Sequence, residues 1–313
     1  FRPPLDNTLT PVYSLGSSKI TQYRLRSIIH NCLEKIDESN LNEEEIDKTF
    51  LSQNISKLSI KEALKIIHNP SVSDDILKIK QFEHPAQKRL IIEELITNLI
   101  GVKISTKKID KMKATVINNN KEIFNSFYKA LPFSLTNAQE RVIKEIQDDM
   151  NKSRPMRRLV QGDVGSGKTV VAAGAMLTCA KNNFQSVLLC PTEVLAEQHF
   201  KNFSIWFASE KIDIEILTGK TKKKDWERID YDLRSGKIKI LIGTHSVFQK
   251  RVSMKNLSLV VVDEQQRFGV KQRFEMLQKS KEAVLPHQLF MTATPIPRTL
   301  AMTIFADLSV SKI

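Results

Sequence analysis

The chain has 313 residues, enough for two or three domains, and its 41% hydrophobic and 27% charged residues are typical of a globular protein with a sizeable core. Its three cysteines (Cys32, Cys179 and Cys190) lack the spacing of a zinc site or a disulfide framework, and no signal pattern or apolar run of membrane length occurs, so we expect a cytoplasmic protein that does not enter a membrane. The net charge of +13 indicates a polyanionic partner, although a genome biased towards lysine would produce a similar excess.

The first part of the chain has the periodicity of helices. Residues 1–18 are rich in proline and resist regular structure, whereas apolar residues recur at helical spacing over residues 19–101. Ser59 and Glu62 have the spacing of a capping box at the start of one of these helices. No catalytic constellation occurs in this half, so the pattern predicts an all-helical region that ends near residue 130.

Beyond that boundary, short apolar segments alternate with helical segments, which is typical of a parallel α/β sheet with flanking helices. The predicted strands are Arg158–Gln161, Ser186–Cys190, Ile212–Leu217, Ile238–Ile242, Leu259–Asp263 and Gln288–Thr292. The predicted helices are Val170–Asn182, Val194–Ala208, Lys222–Ser235 and Val270–Lys279. Several strands are continuous apolar runs, as expected when helices cover both faces of the sheet.

A glycine-rich loop separates the first of these strands from the first of these helices. The loop fits the pattern G-x-x-x-x-G-K-[ST] and consists of Gly162, Asp163, Val164, Gly165, Ser166, Gly167, Lys168 and Thr169. Its glycines let backbone N–H groups cradle phosphate oxygens at a helix N-terminus, where Lys168 can reach the β- and γ-phosphates and Thr169 can bind Mg²⁺. A chance glycine-rich turn is the alternative, which the strand before and the helix after disfavour.

Two carboxylates, Asp263 and Glu264, follow a later apolar strand. They would lie at the carboxyl edge of the sheet, where open α/β sheets bind ligands. We expect Asp263 to hold Mg²⁺ together with Thr169, and Glu264 to position and activate the attacking water. Acids at a strand end are weak evidence alone, but downstream of a phosphate loop they predict a nucleotide hydrolase. A cationic group from a second lobe usually completes such a site, and the sequence contains no second lobe.

Two residues upstream of the loop are candidates for contacting a nucleotide base. The amide of Gln139 can pair with both a donor and an acceptor on an adenine edge, and the ring of Phe133 can stack on the base. The alternative is an ordinary helix start, with Thr136 as the N-cap and Phe133 in the core. Composition alone favours this alternative.

Small hydroxyl and glycine residues follow several strands. Those expected to contact nucleic acid are Thr192, Thr218, Gly219, Thr244 and His245. Hydroxyls and backbone N–H groups at strand ends suit contacts with a sugar-phosphate backbone that do not read the bases. Each segment alone could be a simple turn, but their recurrence at one edge of one sheet favours the nucleic-acid interpretation. Thr292 and Thr294 also end a strand and would couple the nucleotide state to the bound strand.

Together these segments resemble the first lobe of superfamily 2 helicases, and in particular the RecG family, bacterial ATP-dependent helicases of branched DNA. The segments that carry the resemblance are 162–169, 191–199, 263–270 and 291–299, and segments 84–90, 131–136 and 286–289 resemble RecG in particular. The resemblance implies that residues 1–130 are a helical linker region following a wedge domain outside this chain. It implies that residues 131–313 are the first RecA-like, ATP-binding motor lobe, a P-loop NTPase lobe.

The resemblance also implies a function. It indicates a monomeric ATP- and Mg²⁺-dependent translocase on double-stranded DNA that remodels stalled forks and Holliday junctions in recombination and repair. A transcription-repair coupling translocase and a motor lobe without turnover are the alternatives, and the intact Lys168, Asp263 and Glu264 favour an enzyme. Gln266 stands where the family usually has His, so the coupling of ATP hydrolysis to DNA is left open. We expect the chain to be a fragment that is nearly inactive without a second lobe.

Overall fold

The computed structural model describes residues 9–15, 20–36, 58–71, 76–119, 123–248, 252–264, 284–293 and 308–313. Contacts divide the chain into two compact units, Phe1–Gly101 and Val102–Ile313. The helix that the sequence predicts over Val270–Lys279 lies outside the described residues. Among the described residues, no helix is both long and apolar enough to span a membrane.

The described part of the first unit is built from helices. They are α1 (Gln22–Lys35), α2 (Ile60–His68), α3 (Ile76–Lys80) and the part of α4 (Pro85–Asp110) that precedes Val102. Thr21 caps α1 by accepting a hydrogen bond from the Arg24 N–H at 3.3 Å. The predicted capping box of Ser59 and Glu62 is present at the start of α2, with both of its hydrogen bonds formed. The helical periodicity of this part of the sequence is therefore confirmed where the structure describes it.

Residues that follow the first unit belong to the core of the second. Helix α5 (Ile123–Ala130) buries Phe124 and Phe127, and Ile117 just before it is also fully buried in the same cluster. In agreement with this burial, the division between the two units lies before these residues, between Gly101 and Val102. The change of sequence pattern predicted a boundary near residue 130, and the assignment of residues 1–130 as a linker region stays a prediction.

A parallel sheet of seven strands lies at the centre of the second unit. Its strands are β2 (Arg157–Gln161), β3 (Gln185–Leu189), β4 (Ile214–Leu217), β5 (Ile240–Gly243), β6 (Leu257–Val262), β8 (His287–Thr292) and β9 (Ser309–Lys312). Their spatial order is β4-β5-β3-β6-β8-β2-β9. All the predicted strands are present with ends shifted by at most two residues, and β9 is an additional edge strand that the sequence analysis missed.

Two short strands form a separate parallel pair, β1 (Lys113–Ala114) with β7 (Val284–Leu285). The prediction that residues 1–130 are all helical is therefore wrong at β1. A two-residue strand has no periodicity of its own, so only its partner reveals it.

Helices cover both faces of the large sheet. Besides α5 they are α6 (Asn137–Met150), α7 (Lys168–Lys181), α8 (Glu193–Trp206) and α9 (Lys223–Ser235), with short 3₁₀ helices at Ala208–Glu210 and His245–Phe248. Successive residues of a strand point to opposite faces, so Val261 packs with Phe203 of α8 on one face, and Val260 packs with Ile229 of α9 on the other. This two-sided burial explains why the strands are continuous apolar runs.

Arg158 of β2 joins three elements of the second unit. Its guanidinium contacts the carboxylates of Asp149 at 2.6 Å and Glu145 at 2.9 Å, both on α6, and also donates to the Ser311 hydroxyl on β9. Burial alone would raise the pKa of Asp149, but hydrogen bonds from Lys152 and Arg158 outweigh that effect and hold this pKa below its usual range. The network attaches the last strand to the first strand of the sheet and to α6.

His287 is fully buried at the start of β8 and uses both ring nitrogens. Its Nδ1 accepts a hydrogen bond from the Met156 N–H at 3.0 Å, and its Nε2–H donates to the Thr115 carbonyl oxygen at 2.7 Å. An N–H can only donate and a carbonyl can only accept, so these partners require the neutral ring. Burial lowers the pKa of His287, against the opposing effects of the Thr115 hydrogen bond and the charge of Asp149.

We expect His287 to make the free energy of unfolding depend on pH. Its pKa is lower in the folded state than in the unfolded chain, where it is about 6.5, so the unfolded state binds more protons between the two values. Stability should therefore fall as the pH drops from neutral through that window. Urea denaturation at a series of pH values measures this slope, and His287→Gln should flatten it. His30→Gln, at an exposed position on α1, is the control. Equal slopes for the wild type and His287→Gln would contradict the assignment.

Candidate active site

The glycine-rich loop runs from the end of β2 to the start of α7. Gly165 and Gly167 have φ angles of +84° and +86°, in the left-handed region that glycine adopts without strain. Gly167 is the N-cap of α7 and supplies no side-chain cap, so the helix N-terminus can donate its N–H groups to an anion. The local glycine spacing therefore gives the turn that a phosphate-binding loop requires.

Lys168 folds back over this loop. Its Nζ donates to the carbonyl oxygens of Gly162 and Asp163, each at 2.8 Å. The hydroxyl oxygen of Ser166 is buried and has no hydrogen-bond partner among the described residues, and a Cβ at Gly162 would lie only 2.5 Å from it. Three features of this loop fit a bound phosphate group. The Lys168 ammonium is held by carbonyl oxygens, the Ser166 hydroxyl has no partner among the described residues, and position 162 has room only for glycine.

Gln139 joins the start of α6 to the same loop. Its Oε1 accepts a hydrogen bond from the Thr136 N–H and its Nε2 donates to the Ser166 carbonyl oxygen, both at 2.9 Å. Thr136 is the N-cap of α6 in a capping box with Gln139, as the helix-start alternative predicted. The amide still has one N–H and one lone pair beyond these bonds, so a contact with adenine stays a prediction.

Phe133 lies on the surface near this helix start. It is 45% exposed, and its ring meets Trp206 edge to face at a centroid distance of 6.2 Å. The alternative that placed Phe133 in the core is therefore wrong. Stacking of its ring on a base stays a prediction.

The two carboxylates lie at the end of β6. Asp263 is 9% exposed, its N–H donates to the Leu189 carbonyl at 2.9 Å, and its Oδ2 lies 3.0 Å from Nε2 of His199 on α8. Glu264 has a φ angle of +51°, which is uncommon for a residue with a side chain and turns the chain sharply after the strand. The predicted pair thus stands at the carboxyl edge of the sheet.

The phosphate loop lies at the same edge as the acids, and only β8 separates β2, which precedes the loop, from β6, which precedes the acids. The Gly162 N–H donates to the carbonyl oxygen of Thr292, the buried last residue of β8, at 3.3 Å. The structure therefore brings the loop, the acids and Thr292 together. Two residues of the predicted coupling set, Gln266 and Thr294, lie outside the described residues.

The loops predicted to contact nucleic acid follow β3, β4 and β5, which are neighbours in the sheet. Thr192 caps α8 by accepting from the Leu195 N–H at 3.3 Å, and the Thr218 hydroxyl accepts from the Lys220 N–H at 3.3 Å. An accepting hydroxyl keeps its own hydrogen for a phosphate oxygen. The remaining members, Gly219, Thr244 and His245, follow β4 and β5 at the same edge. The strand order thus confirms the shared edge, while the role of these residues stays a prediction.

A cavity of about 350 Å³ opens beside these loops. It is lined by Thr218, Gly219, Thr221, Lys223, Trp226, Glu227 and Ser246. An ion pair of 2.9 Å between Glu193 and Lys220 connects the loops that follow β3 and β4, and the hydrogen bond that Lys220 donates to Glu193 raises the pKa of Lys220. Sequence reasoning missed this cavity because its lining comes from segments that meet only in the folded sheet.

His199 is the residue near the acids to which the sequence analysis assigned no role. It is 5% exposed and lies between Ala196 and Phe203 on the buried side of α8. Its sequence signals were its position on the apolar stripe of a helix that follows a buried strand and its position at the end of segment 191–199, which carries the family resemblance. Such a histidine is usually a core residue, so its contact with Asp263 becomes visible only in the structure.

The parallel sheet, the phosphate loop after β2 and the acids after β6 define a P-loop NTPase lobe of the RecA type. The DEAD/DEAH box helicase family matches residues 136–303, more than half of the chain, and the chain belongs to this family.

Two curated relatives extend the comparison to almost the whole chain. It is 42% identical to the ATP-dependent DNA helicase RecG of Haemophilus influenzae (strain ATCC 51907 / DSM 11121 / KW20 / Rd), over 98% of this chain and 44% of the relative. It is also 42% identical to RecG of Escherichia coli (strain K12), over 99% of this chain and 44% of that protein. The chain therefore spans less than half the length of these relatives.

A solved structure of RecG bound to a three-way DNA junction matches with a TM-score of 0.69 and 34% identity, covering 96% of this chain and 39% of that one. The resemblance to RecG drawn from the sequence motifs is confirmed.

We expect Gly165→Ala and Gly167→Ala to differ in their cost. Both glycines have left-handed φ angles, so each substitution should cost about 1–2 kcal/mol of stability from backbone strain. A Cβ at Gly167 would also lie 2.2 Å from Gln139 Nε2, whereas a Cβ at Gly165 has nothing within 4 Å. Gly167→Ala should therefore lose more, as measured by denaturant unfolding. Adding Gln139→Ala should recover the excess, and equal losses for the two single variants would contradict the contact.

Proposed function

We propose that this chain is the linker region and first motor lobe of an ATP-dependent translocase on double-stranded DNA that remodels branched DNA. The observation that carries the proposal is one edge of a parallel sheet that holds the phosphate loop, Asp263 and Glu264, and the hydroxyl-bearing loops after β3, β4 and β5. The similarity to RecG proteins, one of them solved with a three-way DNA junction, supports branched DNA as the substrate.

ATP would supply the phosphoanhydride bond whose hydrolysis drives the motor. Mg²⁺ would supply the positive charge that neutralises the phosphates of ATP. The residues proposed to hold the phosphates are Gly162, Asp163, Val164, Gly165, Ser166, Gly167 and Lys168. In this proposal Lys168 would exchange its carbonyl partners for phosphate oxygens, and Thr169 and Asp263 would hold Mg²⁺. Glu264 accepts a proton from the attacking water and orients it. Gln139 and Phe133 contact the adenine.

The proposed DNA contacts are made to the sugar-phosphate backbone. Thr192, Thr218, Gly219, Thr244 and His245 would hold one strand along the sheet edge without reading its sequence. The net charge of +13 favours the approach of a polyanion. Thr292, whose carbonyl oxygen accepts from Gly162, would pass the state of the phosphate loop to the DNA, together with Gln266 and Thr294.

The remaining parts of the motor would correspond to segments that the longer relatives have outside the matched region. A second lobe would supply an arginine finger, a group worth about 10³–10⁵ in rate where it is used, and a wedge domain would select the junction. We propose that the protein acts as a monomer in the cytoplasm. The similarity to RecG over 98% of the chain favours this activity over a transcription-repair coupling translocase.

The test is an ATPase assay on the complete gene product with forked duplex DNA, linear duplex DNA and RNA. Forked DNA should stimulate hydrolysis most. Lys168→Ala should abolish turnover, and Glu264→Gln should bind ATP but hydrolyse it at least about a hundredfold more slowly. Lys144→Ala, which removes an exposed lysine on α6, is the control and should leave the rate unchanged. Normal turnover in Lys168→Ala, or equal stimulation by linear and forked DNA, would refute the proposal.

A second prediction separates two roles of Gln139. If its amide pairs with adenine, Gln139→Ala should weaken ATP binding more than GTP binding and thereby reduce the preference for ATP. If the amide only supports the loop through Ser166, both nucleotides should lose affinity by the same factor. Equilibrium binding of fluorescent ATP and GTP analogues to wild type and variant distinguishes the two outcomes. A parallel loss would refute adenine recognition.

A further inference from the structure

Among the described residues, the ring of His199 makes one hydrogen bond, and its partner is Asp263. The distance from Nε2 to Oδ2 is 3.0 Å, and both side chains are largely buried. An ionised carboxylate can only accept, so the Nε2–H donates. The other ring nitrogen, Nδ1, is buried and has no hydrogen-bond partner among the described residues.

Packing alone does not explain a histidine at position 199. The ring lies beside Phe203, with a centroid distance of 6.3 Å, and Ala196 and Phe203 next to it on α8 are fully buried. A buried polar nitrogen without a partner costs free energy that an apolar side chain of similar size would not. The contact with Asp263 is therefore what a histidine provides here and a leucine does not.

We propose that His199 is a positioning residue that fixes the carboxylate of Asp263 for Mg²⁺. This inference rests on the proposed function, in which Asp263 is a magnesium ligand. By holding Oδ2, the Nε2–H of His199 restricts the rotation of the carboxylate, whose other oxygen would remain available to a metal ion. Outer hydrogen bonds of this kind orient ligands, and their loss typically costs about 10–100-fold in metal affinity.

Two substitutions separate positioning from packing. The amide nitrogen of a glutamine reaches roughly the place of a histidine Nε2, whereas the shorter asparagine reaches only that of Nδ1. His199→Gln should therefore retain the bond to Asp263 and His199→Asn should lose it. His199→Leu fills the space without a donor and serves as a second variant that lacks the bond, which guards against failure of the asparagine variant to fold.

The measurement is binding of a fluorescent, non-hydrolysable ATP analogue to the full chain as a function of MgCl₂ concentration. We expect the Mg²⁺ midpoint to rise about 10–100-fold for His199→Asn and His199→Leu and to stay within about threefold of wild type for His199→Gln. Affinity for the analogue in EDTA should be equal in all four proteins, because Lys168 and the loop are unchanged. Thermal unfolding is recorded in parallel.

The possible outcomes separate this inference from the proposed function. Equal Mg²⁺ midpoints in the wild type and the asparagine and leucine variants would overturn the role of His199. A loss in the glutamine variant as large as in the other two would also overturn it, since packing would then explain the effect. Absence of Mg²⁺-dependent binding in the wild type would instead refute the proposed function.

Discussion

The hydrogen-bond register of three neighbouring strands determines where the phosphate loop and the two acids lie relative to each other. Strand β8 pairs in parallel with β2 on one side and with β6 on the other, so that Leu289 lies opposite both Arg158 and Val261. Parallel strands end at one edge, and the phosphate loop after β2 and the acids after β6 are therefore separated by only one strand. The bond from the Gly162 N–H to the Thr292 carbonyl continues this ladder into the loop. A shift of β8 by one residue would bury different side chains on each face and move the loop away from Asp263.

Helix α6 braces this arrangement from outside the sheet. At its N-terminus Gln139 holds the carbonyl of Ser166 in the loop, and near its C-terminus Asp149 and Glu145 hold Arg158 of β2. The start of β2 and the loop that follows it are thus each attached to one helix, which fixes the loop relative to the strand. Ser311 adds the edge strand β9 to the same network through Arg158.

The sequence predicted those features whose signals are local. Continuous apolar runs identified the strands, and the spacing from Gly162 to Thr169 identified the loop, because backbone curvature and burial restrict residue type at each position. Strand β9 was missed since three of its four residues are exposed and it has no apolar run. The contacts of Gln139 with Ser166 and of His199 with Asp263 join residues 27 and 64 positions apart, so only the folded sheet brings them together. The family resemblance could be recognised from local sequence patterns, as the loop could. The roles of individual site residues depend instead on contacts between distant positions.

Helix α8 connects the two halves of the proposed function. Thr192 caps its first turn at the edge assigned to DNA, and His199 lies seven residues along the same helix, about 10 Å in axial rise, against Asp263. Glu193 in the first turn is also tied to Lys220 in the next loop of that edge. A helix of this length moves as a unit, so a DNA strand that displaced Thr192 would also displace His199. The bond between His199 and Asp263 is then a physical link through which the proposed DNA contact would act on the proposed magnesium site.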